Sequence, residues 1–289
     1  MIKIDHVTKS FDHHKGIFDI SLEVADGQVM GFIGPNGAGK STTIRHLMGF
    51  LKADKGTLTI NGLDCWREAD QVKKGLGYLP GEIVFPSGLS AHDFLAMQRE
   101  IHRHQDTRLA EDLIDRFQLN MAIPIHKMSK GMKQKLALVA CFMCDPDIII
   151  LDEPSTGLDP LMQEELIQLL REEKAKGKTI FLSSHVLEEI ERIADEICII
   201  KEGRIVKKLD IAQLHAEMKE FLQVTLKDEK PLSLTLPGIE DLGQQTYRIP
   251  LEGDYNALLR ELAQHDIADL RGQAVTLREL FQKYYREGD

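Results

Sequence analysis

The sequence has no uninterrupted apolar run long enough to cross a bilayer. The longest, Leu136 to Cys144, is nine residues between Lys135 and Asp145, where a spanning helix needs about 20. Met1-Ile2-Lys3-Ile4-Asp5-His6 lacks the apolar stretch of a secretory signal. The expectation is a chain soluble on its own and cytosolic unless another protein holds it at a membrane. Cysteine is scarce. Cys65, Cys141, Cys144 and Cys198 do not make a disulfide framework. The pair Cys141-x-x-Cys144 falls in an apolar helical stretch without a second ligand pair nearby, so buried thiols are expected rather than a metal or redox site. His102 and His104 sit among polar residues and read as solvated. There is no long basic run, and the net charge is −10. That argues against nucleic acid as the main partner, because phosphate binding needs a clustered positive surface. No internal repeat or low-complexity segment stands out.

What remains is an ordinary globular composition, 43% hydrophobic and 28% charged over 289 residues, enough for one large domain or a domain with an appendage. One stretch organises it: Gly34-Pro35-Asn36-Gly37-Ala38-Gly39-Lys40-Ser41-Thr42 fits the phosphate-loop pattern G-x-x-x-x-G-K-[ST]. The apolar run Val29 to Ile33 before it reads as a buried strand, and Ile44, Leu47 and Met48 after it mark a helix. Glycines allow the tight turn in which successive N–H groups point inward at phosphate oxygens. The helix that follows adds the positive end of its dipole. Lys40 is expected on the β- and γ-phosphates, and the Ser41 hydroxyl on Mg²⁺ with Thr42 beside it.

The rest of the chain alternates strand and helix signals, which argues for an α/β fold with a parallel sheet. Residues 1–28 read as short strands and turns, with Ile17 to Val24 a strand and Phe11 in the polar turn region before it. Phe11 has two readings from spacing alone, an adenine-stacking ring or a small packing anchor. Asn61-Gly62 after an alternating strand signals a hairpin, and Leu76 to Leu79 is a strand stopped by Pro80-Gly81. Residues 90–145 read as largely helical. Ser90 with Asp93 suggests a capping box, Leu109, Leu113, Ile114 and Phe117 one helix face, and Ser129 a second helix start. Met162, Leu166, Leu169 and Leu170 mark a further helix. Val186, Ile190, Ile193 and Ala194 make a helical stripe, and residues 197–206 a closing hairpin. Beyond Asp210 the pattern becomes more polar, with strands at Leu222 to Leu226 and Tyr247 to Leu251 and helices at Asn256 to Gln264 and Leu277 to Tyr285. This is read as a small α+β appendage without a catalytic constellation.

Two further sites should meet the phosphate loop. Ile148 to Leu151 is a buried strand ending in Asp152-Glu153. Buried carboxylates are costly without a partner, and Mg²⁺ on Asp152 is the natural one. Glu153 would orient and deprotonate a water attacking the γ-phosphate, help that is typically worth about 10²–10⁴ in rate. Thr179 to Leu182 is a strand ending at Ser183-Ser184-His185, with His185 set to hydrogen-bond the γ-phosphate. All three sites follow strand ends, where ligands of open parallel sheets bind.

Taken together, the motifs resemble those of the ATP-binding subunit of an ABC transporter. Met128-Ser129-Lys130-Gly131-Met132-Lys133-Gln134 stands where that family has its signature Leu-Ser-Gly-Gly-Gln. Ser155-Thr156-Gly157-Leu158-Asp159 resembles its D-loop, His185 its switch histidine, and Phe11 its adenine-stacking aromatic. The resemblance implies an ABC-cassette fold of the P-loop NTPase class over residues 1–209, with a parallel-sheet core, an N-terminal antiparallel β subdomain and a helical subdomain at about residues 87–145. Residues 210–289 form a C-terminal accessory domain similar to the extension of bacterial drug- and antibiotic-exporter ATPases, ending in Val275-Thr276-Leu277-Arg278-Glu279-Leu280-Phe281.

The resemblance also implies ATP and Mg²⁺ as ligands and a dimer, most simply of identical chains. In that dimer Ser129, Gly131 and Met132 of one subunit would cap the ATP held by the other's phosphate loop. The partners it implies are integral membrane permease subunits, and the place is the cytoplasmic face of the membrane. Two departures stand out. Lys130 and Met132 replace the usual glycine and glutamine of the signature. Gly81 stands where the family has its Q-loop glutamine, with Glu82 adjacent. A soluble ABC ATPase acting on ribosomes or nucleic acid is the alternative, disfavoured by a single cassette and an acidic balance. A small-molecule kinase is a third, disfavoured by Asp152-Glu153 beside a signature-like helix.

Overall fold

The structure, a computed structural model, describes residues 1–12, 15–103, 106–217, 220–227, 238–251 and 255–274. The chain divides into two compact units, Met1–Ile211 and a second from Ala212 on.

The first unit begins with an antiparallel sheet. β1 (Ile2–Asp12) pairs with β2 (Lys15–Val24) on one side and β4 (Lys55–Ile60) on the other, and the two-residue β5 (Leu63–Asp64) extends β4. Asn61 and Gly62, at φ +51° and +80°, make the turn between β4 and β5. Two successive left-handed residues match the strand twist, and Asn-Gly tolerates them best. Phe11 lies in the last turn of ladder of β1 rather than in a turn region, because pairing continues to Asp12 opposite Lys15.

The second sheet is six-stranded, in the order β10–β9–β3–β8–β7–β6. Its strands are β3 (Val29–Ile33), β6 (Leu76–Leu79), β7 (Ile148–Asp152), β8 (Thr179–Ser184), β9 (Glu196–Lys201) and β10 (Arg204–Asp210). All neighbours run parallel except the β9–β10 hairpin. β3, β7 and β8 are buried at every residue, the continuous apolar pattern of a sheet covered on both faces. On one face α1 (Lys40–Leu47) sits between the two sheets. Its Ile44 and Leu47 join Met30, Phe32 and Phe181 from the parallel sheet and Ile2, Ile4 and Ile20 from the antiparallel one in a single core. On the other face Gly31 admits the short α7 (Leu187–Glu191): a Cβ at residue 31 would lie 2.2 Å from Ile190 Cγ2. The expected helical stripe is thus a single helix of five residues, with Ile193 and Ala194 buried in the turn after it.

Between β6 and β7 the chain is helical. A four-residue α2 (Ala69–Val72) precedes β6, and α3 (Ala91–Ile101), α4 (Arg108–Arg116) and α5 (Lys130–Phe142) follow it. α3 carries the expected capping box: Ser90 Oγ accepts from the Asp93 N–H, and the Asp93 carboxylate accepts from the Ser90 N–H. α6 (Pro160–Ala175) returns from β7 to β8. Arg116 of α4 reaches α6, donating to Glu172 at 2.6 and 3.2 Å and to Glu165 Oε2 at 3.1 Å. The guanidinium holds the Glu172 carboxyl below its ordinary range.

The second unit opens with α8 (Ile211–Glu217), whose first residue closes the first unit. Its sheet has the order β12–β13–β11–β14 and is antiparallel throughout. The strands are β11 (Glu220–Leu226), β12 (Glu240–Gly243), β13 (Thr246–Pro250) and β14 (Ile267–Ala274), and α9 (Tyr255–Leu262) precedes β14. Val224, Leu226, Ile249, Leu258 and Leu262 form a core of their own. β12 and β14 had no signal in the sequence; all four residues of β12 are exposed. The helix expected at Leu277 to Tyr285 and the segment Val275 to Phe281 lie outside the described residues.

Candidate phosphate site and its neighbours

The site forms at the carboxyl ends of three adjacent strands. β3 runs into residues 34–39, β7 into Asp152-Glu153, and β8, paired with both, into Ser184-His185. The loop turns on glycines at left-handed φ, Gly37 at +83° and Gly39 at +111°. Gly34 has no room for a side chain, since a Cβ there would meet Ile200 O at 2.3 Å. Gly39 is the N-cap of α1, and Ser41 and Thr42 lie in its half-buried first turn. The Thr42 carbonyl accepts from His46 Nδ1 at 2.7 Å. Pro35, Asn36 and Gly37 are exposed and Ala38 is buried. The β1–β2 hairpin comes close to this loop: a Cβ at Gly39 would lie 2.9 Å from Ile17 Cγ2. Phe11, at the end of that hairpin, is 51% exposed.

Lys40 is 5% exposed. Its ammonium donates to Gly34 O at 2.6 Å and to Pro35 O at 3.3 Å, and lies 3.0 Å from Glu153 Oε1 as an ion pair. The other carboxylate oxygen of Glu153 is 2.6 Å from His185 Nδ1. The three residues expected at one site from separate motifs are therefore joined in a row, Lys40–Glu153–His185. Asp152 is 3% exposed. Its Oδ1 accepts from Ser183 Oγ at 2.5 Å, and its Oδ2 faces the bare Cα of Gly81, where a Cβ would come within 3.0 Å.

Among the described residues no three His, Cys, Asp or Glu side chains gather as a metal cage. Mg²⁺ does not need one, since it keeps several waters and takes one or two carboxylates plus substrate phosphates. A buried carboxylate with a hydrogen bond to Ser183 on one oxygen suits that requirement.

The chain is 30% identical over 289 residues to the daunorubicin resistance ATP-binding protein DrrA3 of Streptomyces coeruleorubidus, covering 96% of this chain and 92% of that protein. It is 31% identical over 232 residues to the bacitracin transport ATP-binding protein BcrA of Bacillus licheniformis, covering 79% and 76%. Residues 17–156 match the ABC transporter family. This chain is an ABC transporter ATP-binding protein. It is the ATPase component of such a transporter. A solved ATP-binding subunit of an ABC transporter superposes with a TM-score of 0.69 at 29% identity, covering 75% of this chain and 92% of its own. No described helix of this ABC protein is long and apolar enough to cross a membrane.

In this ABC protein the signature segment forms a second surface. Ser129 caps α5, its Oγ accepting from the Met132 N–H at 3.3 Å. Gly131 packs on the D-loop so closely that a Cβ would lie 2.6 Å from Gly157 O. The stem of Lys130 lies beside Gly157, its Cγ 3.4 Å from where a Cβ would be. Ser129, Gly131 and Met132 thus present the first turn of α5, with the D-loop of the same chain beneath.

Two residues to which the sequence assigned no role hold this region, Gln134 at the end of the signature-like stretch and Glu189 outside any motif. Gln134, 4% exposed, donates from Nε2 to Pro154 O at 2.7 Å. Glu189 of α7 accepts from Ser155 Oγ at 2.7 Å, and burial pushes its carboxyl above the ordinary range. Each bond joins residues 20 or 34 positions apart, so no local pattern announces it.

Proposed function

We propose that this protein binds Mg·ATP on the loop at residues 34–42, hydrolyses it with Glu153 as general base, and uses the cycle to power export through a separate membrane permease. The observation that carries the site reading is the row Lys40–Glu153–His185 at the ends of β3, β7 and β8. Backbone N–H groups of the loop and the N-terminus of α1 receive the phosphates. Lys40 turns from Glu153 to the β- and γ-phosphates, leaving Glu153 to take the proton of the attacking water while His185 holds its carboxylate and reaches the γ-phosphate. Ser41 and Asp152 would hold Mg²⁺, which when bound neutralises charge on the phosphates. Phe11 stacks on the adenine.

The same reading makes the working unit a dimer, with the first turn of α5 facing the partner's phosphates. Ser129 and the backbone N–H groups of the first turn suit that role, because the N-terminus of a helix attracts anions; the Met132 N–H, held by Ser129 Oγ, fixes the hydroxyl in that turn. The first unit also exposes Phe50, Val84 and Ile101 around one cleft. An exposed apolar cluster of this kind supports a protein contact, and the permease is the partner proposed for it. Export is favoured by the relatives, one named for bacitracin transport and one for daunorubicin resistance. The division into cassette and accessory domain follows the two compact units.

The test is Glu153→Gln. It should bind ATP, lose about 10²-fold or more in turnover, and accumulate as an ATP-bound dimer by light scattering. Near-normal turnover would remove Glu153 from the role.

A further inference from the structure

Glu153 is held in a backbone conformation that its sequence does not favour. Its φ is +53°, uncommon for a residue with a Cβ, and it precedes Pro154, where extended backbone is preferred. Such a conformation persists when the surroundings over-determine it. Upstream, the Glu153 N–H donates to Ser183 O at 3.1 Å and Ser183 Oγ at 3.2 Å. Its carboxylate is fixed by Lys40 and His185. Downstream, the Thr156 N–H donates to Glu153 O at 3.2 Å, and Glu189 takes the Ser155 hydroxyl. The Pro154 carbonyl, next in the chain, is taken by Gln134. That bond comes from α5, one turn into the helix whose first turn carries Gly131 against Gly157.

We infer that Gln134 is a positioning residue for hydrolysis: through the Pro154 carbonyl its amide fixes the turn that aims the Glu153 carboxylate, and so ties that aim to the placement of α5. The role rests on the reading of Glu153 as the base. Gln134 is buried, and its amide acts through the Pro154 carbonyl. The chemistry requires a donor at this position, because the buried carbonyl of Pro154 has only an N–H or O–H to satisfy it. A residue of equal length without a donor leaves the turn free to relax towards the extended backbone that proline prefers. The carboxylate then moves without the phosphate loop changing.

Steady-state hydrolysis by the 289-residue chain tests this, with ATP affinity and thermal midpoint measured alongside. Gln134→Met keeps the length and removes the donor. It should lower kcat by roughly 10- to 100-fold, the scale of a catalytic group displaced by about an ångström, with KM for ATP within about twofold of the parent. Gln134→Asn keeps a donor and should recover part of that loss. In a Glu153→Gln background, Gln134→Met should lower the residual rate no further, since the group it positions is gone.

A parallel fall in ATP affinity, or an additive loss in the Glu153→Gln background, would overturn the role and make Gln134 a packing residue. If Gln134→Met does not fold, Gln134→Leu, which also removes the donor, carries the same readouts, and an unchanged kcat there overturns the role equally. Failure of the base reading shows separately, as near-normal turnover of Glu153→Gln alone.

Discussion

At the scale of single residues, one of the positions that depart from the family's pattern, Gly81, has a steric explanation. Gly81 is not at a positive φ, so backbone freedom is not its reason. The space beside it is taken by Asp152, and a Cβ would sit 3.0 Å from Oδ2. The carboxylate has little room to give, being buried and tied to Ser183 at 2.5 Å on its other oxygen. Gly81→Ala should therefore slow hydrolysis by about tenfold while leaving the thermal midpoint nearly unchanged. Gly81→Gln, which restores the family's usual residue, should do no better, because the crowding begins at Cβ. A Gln variant faster than the parent in a phosphate-release assay would refute this. The candidate site itself was legible residue by residue. Gly34, Gly37 and Gly39 mark a phosphate loop by type and spacing, and Asp152-Glu153 stands out as charge at the end of an apolar run. Gln134 was legible as the end of the signature-like stretch but not in its role, and Glu189 was not legible at all. A polar side chain on a helix reads as solvated until the fold brings a distant carbonyl or hydroxyl to it.

At the scale of elements, one contact joins the helical region to α6. Arg116 leaves α4 to bind Glu165 and Glu172 in a fork, and its side chain is 20% exposed. Arg116→Met keeps the apolar stem and removes the charge, and should cost about 1 kcal/mol in denaturant unfolding. The pH sign follows from Glu172, whose pKa is depressed in the fold by the Arg116 hydrogen bond. Its stabilisation is complete above the ordinary glutamate range and is lost as pH falls through the lower, folded value. The difference between parent and Arg116→Met should therefore shrink at acid pH, and a difference that grew there would contradict the assignment. Elements with strong local signals were readable: the capping box of α3, the Asn61-Gly62 turn, the apolar runs within β3, β7 and β8. α7 was read too long, because Ile193 and Ala194 are buried by the fold and not by a helix. β14 escaped notice because its pairing with β11, not its own residues, makes it a strand.

At the scale of the whole molecule, the two units have separate cores. Residues 1–211 alone should therefore unfold cooperatively and retain ATP hydrolysis within about fivefold, surface deletions away from a core costing little. A truncated chain that aggregates or binds no ATP would assign the second unit a structural part in the first. The likeness to DrrA3 runs over both units.

The ion pair between Lys40 and Glu153 has a consequence for which anions can enter. The phosphate loop carries its own counterion, so its single buried cation is already neutralised before any ligand arrives. A weakly charged anion offers that cation no more than the carboxylate 3.0 Å away. A polyphosphate does, with several charges spread over oxygens that the loop's N–H groups can also reach. Binding is then an exchange of anions. On the proposed reading of Glu153, the side chain that discourages idle occupancy by small ions would be released for chemistry by the arrival of the nucleotide itself.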